Sequence, residues 1–253
     1  MKIGISGYGR MGKMIHGICV ERGHSVPLVI DPRAETRPDN AATAPDPASA
    51  DLSGVDMVID FSIPDVILKN IAAYIAAGVP AVIGTTGWEH SRIRVQQQIE
   101  NAGGSLLHGS NFSVGANLFF HLSSKLADLV NGFEQYDVLM HEFHHRHKKD
   151  SPSGTALTTA EHILGKLDRK TTVQTECLQR TIRPEELHVS STRGGDIPGL
   201  HMVLADSPED TIELRHTARS RRGFALGAVL AAEWLHGKQG FFSFEDYFRE
   251  AMG

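Results

Sequence analysis

Hydrophobic positions in the first hundred or so residues alternate between two periods. The short apolar runs "KIGISG" (Lys2–Gly7), "HSVPLVID" (His24–Asp31), "DMVIDFS" (Asp56–Ser62) and "VPAVIGTTG" (Val79–Gly87) read as buried strands. Between them apolar residues recur at helical spacing. Met11, Met14, Ile15, Ile18 and Cys19 form one such stripe, ending at Gly23, and Ile67, Ile71, Ala72 and Ile75 form a second over Pro64–Gly78. A polar helix is predicted from about Ser91 to Ala102, followed by a strand and loop in "SLLHGSNFS". The segment from Pro32 to about Asp51 is poor in core-formers and predicts a loop or a weak helix. Strands alternating with helices predict an α/β unit, a Rossmann-type doubly wound parallel sheet with helices on both faces.

Beyond Ser113 the rhythm changes. A long helix pattern (Val114 to about Val130) leads into a strand "YDVLMHEFHH", a charged loop, and a helix from Gly154 to about Leu167. The strands "LHVSSTRGG", "HMVLAD" and "DTIELRHTARS" follow, with short turns such as "SPED", and they predict a smaller α+β domain with an open mixed or antiparallel sheet. An apolar helix, "FALGAVLAAEWLHG", is expected to close the chain and pack back on the first domain. The expected domains are residues 1–110 with 223–253, and residues 111–222.

Composition narrows the function class. A net charge of −5 over 253 residues lacks the chain-wide basic footprint of a nucleic-acid binder. Positive charge is concentrated instead between His141 and Lys149 and in "RHTARSRRG" (Arg215–Gly223), which suits a small anionic ligand. Cys19 and Cys177 stand alone, without metal-ligand spacing, and are expected to be reduced thiols. The opening "MKIGISGYG" has no apolar signal region, and no run approaches the length of a membrane span, so a cytoplasmic protein is expected.

The stretch "GYGRMG" places Gly7, Gly9 and Gly12 in GxGxxG order, directly after a strand and at the mouth of a helix. Such a loop turns tightly at its first glycine and admits a pyrophosphate to the helix N-terminus at its second. Asp31 ends the next strand 19 positions after Gly12 (31 − 12), where an acid can meet the adenosine ribose of NAD, while Arg33 offers a partner for the 2′-phosphate of NADP. Three further strands end in small or polar groups, Asp60–Ser62, Gly84–Gly87 and Gly109–Ser113, which would let a flat nicotinamide ring approach backbone.

Four histidines and two lysines crowd the nine positions from His141 to Lys149. A metal site built on Glu142 and the histidines is one reading, opposed by the charges of Arg146, Lys148 and Lys149. A solvated basic loop is another. The third is an anion site with proton-transfer groups, and "DSPSGTA" favours it. That stretch supplies an N-cap (Ser151 or Ser153), Pro152 near the first turn, and then Gly154 and Thr155 at a helix start whose free N–H groups suit a carboxylate or phosphate. Lys148 adds a point charge and His144 a group that titrates near neutrality.

Taken together, "EFHHRHKKDSPSGTA", "GYGRMG", "GTTGW", "SNFSVGAN", "STRGGDIPG" and "FALGAVLAAEWL" resemble the dihydrodipicolinate reductase (4-hydroxy-tetrahydrodipicolinate reductase) family of bacterial lysine and diaminopimelate synthesis, in order and along essentially the whole chain. The resemblance implies an acid/base role for His144 and a proton-donating role for Lys148. It implies that His145, Gly154 and Thr155 hold the carboxylates of a cyclic imine dicarboxylate. It implies contact with NADH or NADPH from Gly7, Tyr8, Gly9, Arg10, Met11 and Gly12, from Asp31, from Gly84, Thr85 and Thr86, and from Gly109, Ser110, Asn111 and Phe112. No metal is expected. Hydride would pass to ring C4 after the 4-hydroxyl leaves as water, and the open sheet would build a homotetramer. Phe143 and Ser151 stand where the family usually has alanine, and the glycine loop is one residue shorter than in many members. Two rivals share parts of the pattern: another imine or amino-acid dehydrogenase, which has no need of the full basic block, and a non-catalytic dinucleotide sensor, which has no need of His144 and Lys148.

Overall fold

A computed structural model describes residues 1–33 and 41–253. In chain order its first half runs β1 (Lys2–Ser6), α1 (Arg10–Glu21), β2 (Ser25–Ile30), β3 (Ala42–Ala44), β4 (Met57–Asp60), α2 (Pro64–Ala77), β5 (Ala81–Ile83), α3 (Arg92–Asn101) and β6 (Ser105–His108). The second half runs α4 (Val114–Val130), β7 (Asp137–His144), α5 (Gly154–Leu164), β8 (Thr172–Gln174), β9 (Glu186–Arg193), β10 (Leu200–Asp206), β11 (Thr211–Thr217), α6 (Arg222–Leu235), β12 (Gly240–Ser243) and α7 (Phe244–Met252). Contacts divide the chain into two compact units, Met1–Val114 with Arg222–Gly253, and Gly115–Arg221.

The first unit is built on a seven-stranded sheet in the order β12-β6-β5-β4-β1-β2-β3, with every pairing parallel. Its central strands are buried on both faces, so they read as unbroken apolar runs. The strand period of two sends Met57 and Ile59 of β4 into a core shared with α1 and α6, while Val58 between them joins a second core with α2 and α3. The Rossmann-type reading is therefore correct in class.

Two elements depart from expectation. The apolar helix α6 does not close the chain. Gly240–Ser243 add β12 beside β6, with Phe241 opposite Leu106, and α7 follows, opened by a Ser243/Asp246 capping box. The run "GFFS" is too short and only half-buried, so it carries no legible period. The expected loop over Pro32–Asp51 contains a three-residue strand, β3, paired with β2 from Leu28↔Ala42 to Ile30↔Ala44, while residues 34–40 of that stretch lie outside the described residues.

In the second unit the five strands lie in the order β11-β10-β7-β9-β8. β10 is antiparallel to β7 and β11, whereas β9 is parallel to β7 and β8, which makes the sheet mixed. Alternation along β7 turns Val138 and Met140 onto the face covered by α4 and α5, where Phe119, Phe120, Ala156 and Ile163 close the core. α5 ends at Leu164 rather than Leu167, with Gly165 as its C-cap. No helix among the described residues is long and apolar enough to cross a membrane.

Candidate functional site

In the first unit, Gly7 has φ +82°, and a Cβ there would sit 2.3 Å from the Phe61 carbonyl oxygen. A Cβ on Gly12 would sit 2.1 Å from the Gly7 carbonyl oxygen. The loop and the first turn of α1 thus pass too close to neighbouring backbone for any other residue, whereas Gly9, the N-cap of α1, faces open space. That space is a cleft of about 580 Å³, lined by Gly7, Tyr8, Gly9, Asp31 and Arg33, with the Asp46 loop and the exit of β4 on its other sides.

Asp31 reaches across the cleft floor. Its carboxylate accepts from the backbone N–H groups of Tyr8 and Arg33, both at 2.7 Å. Each oxygen keeps a free lone pair, so the acid can anchor the glycine loop and still accept a ribose hydroxyl. Lys13 also lines the cleft. It was not among the residues expected there, although its place on the first turn of α1 makes it the nearest sequence candidate for a phosphate partner.

The remaining expected contacts are divided. Arg10 is exposed, and Met11 packs half-buried against the core. Gly84–Thr86 and Gly109–Phe112 sit at the carboxyl ends of β5 and β6, outside the lining of that cleft. Packing accounts for several of them. A Cβ on Gly84 would meet the Phe61 ring at 2.2 Å, and one on Gly109 would meet Phe244 at 2.9 Å. Phe112 is buried between Phe61 and Phe244. Asn111 accepts from the Ser113 N–H, whereas Ser110 and Thr86 are exposed. Beneath this edge Asp60, expected as one of the strand-end groups open to a nicotinamide ring, is taken up by hydrogen bonds within the protein. The fully buried Asp60 carboxylate accepts from the Ser62 N–H (2.8 Å), Asn70 (2.9 Å) and the Tyr74 hydroxyl (2.7 Å), which fixes the exit of β4.

In the second unit the alternation that buries Val138 and Met140 goes on to bury Glu142 and His144. Register sets Glu142 beside Ser191 and His201, His201 beside His216, and His144 beside Arg193. A polar row therefore continues the apolar core at one end of the sheet. One oxygen of Glu142 accepts from Arg193 (2.7 Å), Ser191 (2.9 Å) and the Ser153 N–H (2.9 Å). The other accepts a short hydrogen bond from the Ser153 hydroxyl and lies 3.3 Å from both His144 Nδ1 and His201 Nε2. Burial alone would push this carboxyl up, but the hydrogen bonds from His201, Ser153 and Arg193 outweigh it and hold the group well below the usual carboxylate range.

Ser153 is the N-cap of α5 and accepts from the Ala156 N–H at 3.1 Å, so of the two expected caps it is Ser153 that serves. Gly154 and Thr155 form the first turn beyond it, with Gly154 exposed and Thr155 half-buried. His144 is buried and lowered to about 4, chiefly by burial, with Glu142 opposing the shift and His201, Lys148 and Arg193 adding to it. It is a neutral imidazole at neutral pH. Lys148 pairs with Asp150 at 2.9 Å, and Arg193 ties the same loop by donating to the Asp150 carbonyl at 2.7 Å. His145 is half-buried, with its N–H on the Ile197 carbonyl. The structure thus brings His144, His145, Lys148, Gly154 and Thr155 to one end of one sheet.

Glu142, His144 and His201 offer donor atoms within 4.8 Å of one another. The Arg193 guanidinium occupies the same carboxylate, and Lys148 adds positive charge beside it, an arrangement that opposes a resident cation and favours an anion.

Comparison with known proteins converges on one family. The family described as "Dihydrodipicolinate reductase, N-terminus" matches residues 1–112, and "Dihydrodipicolinate reductase, C-terminus" matches residues 115–248. The chain is 38% identical to the 4-hydroxy-tetrahydrodipicolinate reductase of Christiangramia forsetii, covering 97% of both chains. It is 34% identical to that of Neisseria gonorrhoeae, covering 97% of this chain and 96% of the relative. In fold it is similar to the dipicolinate-bound dihydrodipicolinate reductase from Paenisporosarcina sp. TG-14, with a TM-score of 0.79, 20% identity, and coverage of 96% and 97%.

Proposed function

The chain belongs to the dihydrodipicolinate reductase family, and from that premise we propose how its residues divide the reduction. The reaction is the NAD(P)H-dependent conversion of 4-hydroxy-tetrahydrodipicolinate to tetrahydrodipicolinate and water, in lysine and diaminopimelate synthesis. It consumes one hydride and one proton.

The first unit binds the pyridine nucleotide, with the pyrophosphate over Gly9 and the start of α1 and the adenosine ribose on Asp31. Arg33 beside Asp31 supports use of NADPH as well as NADH. The second unit binds the dicarboxylate. One observation carries this half of the reading: a helix start capped by Ser153 stands beside Lys148, His144 and His145 at the end of one sheet. Gly154, Thr155 and His145 hold the carboxylates. Lys148, as a cation, donates the proton that lets the 4-hydroxyl leave as water, while His144 takes the proton lost from the ring carbon beside C4, which leaves a conjugated imine; hydride then adds at ring C4. The His144 imidazolium returns that proton to the ring as hydride addition leaves negative charge there, so that the net consumption is one hydride and one proton.

The second unit also serves assembly in this reading. The face of its sheet opposite α4 and α5 carries a row of apolar pairs, Leu139 beside Leu204 and Phe143 beside Leu200, with His141 beside Met202 between them. That face supports a homotetramer of a cytoplasmic enzyme, and a monomeric mass in sedimentation at micromolar concentration would exclude it. The direct test of function adds purified protein to NADH or NADPH and enzymatically generated 4-hydroxy-tetrahydrodipicolinate. Cofactor oxidation that depends on this substrate is expected. No oxidation with it, alongside turnover of another imine or an amino acid, would move the chain to a rival dehydrogenase activity.

A further inference from the structure

Glu142 stands outside this division of labour. It is fully buried, and it is the acceptor on which Ser153, Ser191 and Arg193 converge, with His144 and His201 in contact. His144 Nδ1 is buried and finds no other hydrogen-bond partner among the described residues than the Glu142 oxygen that faces it at 3.3 Å. The other ring nitrogen faces Gly199, where a Cβ would sit 3.0 Å from Nε2. A buried imidazole with a carboxylate at one nitrogen and a glycine, which has no side chain, against the other is oriented for proton exchange at the second.

We infer that Glu142 is a positioning residue for the reduction, holding His144 with its proton on Nδ1 and Nε2 free, and holding the start of α5 in the same frame through Ser153. The two functions fall on two oxygens. One gathers Arg193, Ser191 and the Ser153 N–H, and so fixes the loop that presents the anion-binding helix start. The other faces His144 and His201 and accepts from the Ser153 hydroxyl. A proton taken up at Nε2 makes an imidazolium whose Nδ1–H already points at an anion, so charge formed in the reaction meets a fixed partner. The charged and titratable groups facing His144 are Glu142 on its own strand, Arg193 on β9, His201 on β10 and Lys148 on the following loop, and Glu142 is the only anion among them.

The inference rests on the acid/base reading of His144, and the experiment separates the two. Glu142→Gln keeps the shape and removes the charge. Its kcat is expected to fall on the order of 10- to 100-fold, with KM for both substrates within about threefold of wild type. His144→Gln should lose at least as much, and the double variant should be no slower than His144→Gln alone, because Glu142 acts through that ring. A fully active His144→Gln would overturn the acid/base reading itself. A slow His144→Gln together with an active Glu142→Gln, or with losses that multiply in the double variant, would overturn only the positioning role. A third measurement needs no substitution and decides the case if Glu142→Gln fails to fold. In wild-type protein labelled with nitrogen-15 histidine, the His144 resonances should report an Nδ1–H tautomer, and an Nε2–H tautomer would refute the inference.

Discussion

The two halves of the machinery are built from different materials. In the first unit the cleft at the glycine loop is shaped by backbone. Gly7, Gly9 and Gly12 let chain approach chain or ligand, and a single acid, Asp31, pins the loop through two N–H groups. In the second unit the candidate site is made mainly by side chains, a buried carboxylate, two imidazoles and an arginine with a lysine in the loop alongside, set against the start of α5. A backbone site fails by steric collision, and a side-chain site fails by loss of a charge or a proton. The two units should therefore answer differently to the same small changes.

The largest effect is expected at Lys148. Lys148→Ala removes the proposed proton donor and should lower kcat on the order of 10²–10⁴-fold, leaving NADH affinity almost unchanged. Lys149, one position along and exposed, is the control and should cost little when changed to Ala. Comparable losses in the two variants, or lost NADH binding in Lys148→Ala, would mean that the loop acts through bulk charge and that the contrast between the units is false.

Gly12→Ala tests the other half. A Cβ placed 2.1 Å from the Gly7 carbonyl oxygen forces loop and helix apart. Overpacking of this kind costs about 1–3 kcal/mol, and a loss of that size in cofactor binding is roughly 5- to 150-fold. Binding of a dicarboxylate analogue should be spared, and calorimetric titration with each ligand separates the two. Equal damage to both would show that the cleft is not an independent backbone construction.

Acid should weaken the side-chain site. Folded His144 titrates at about 4 instead of 6.5, so the unfolded chain takes up its proton first and the stability from this group is lost as pH falls from 6.5 towards 4. Glu142, held below its ordinary 4.5, adds a further loss below that value. Denaturant midpoints measured across this range should fall less steeply in His144→Gln than in wild type, and identical slopes would contradict the assignment.

The smallest effect is expected at Asp31. Asp31→Ala releases Tyr8 and Arg33 for either cofactor, so both should weaken, but NADH should lose a further factor of about 2–10 from the ribose hydrogen bond. Steady-state kinetics with the two cofactors gives the ratio, and equal losses would remove the ribose from the role of Asp31.

Much of the first unit is legible along the chain because period and punctuation coincide. Ile3 and Ile5, then Met57, Val58 and Ile59, are buried on both faces and read as apolar runs, and Gly7 and Gly12 mark close approaches. β12 escapes notice because "GFFS" is four residues long, and the β3 strand "ATA" because three small residues carry no period. In the second unit the basic block points to an anion, and Ser153 to a helix start. The buried row does not show, because His201, Arg193 and Glu142 are up to 59 positions apart (201 − 142) and meet only through strand register. The partners of Asp60 are hidden for a similar reason, since Asn70 and Tyr74 lie on the helix that follows.

The placement of β12 bears on how the chain is made. The strand pairs with β6 on the first sheet, yet it follows the whole of Gly115–Arg221 in the chain. As the polypeptide leaves the ribosome, every segment of the second unit emerges before the first sheet can be completed. During that interval β6 presents an unpaired edge of N–H and C=O groups, the kind of surface that invites pairing with a foreign strand. α6, whose Ala225, Ala228 and Ala232 enter the first core, arrives just ahead of β12. The nascent first unit is thus left open at that edge until late in synthesis.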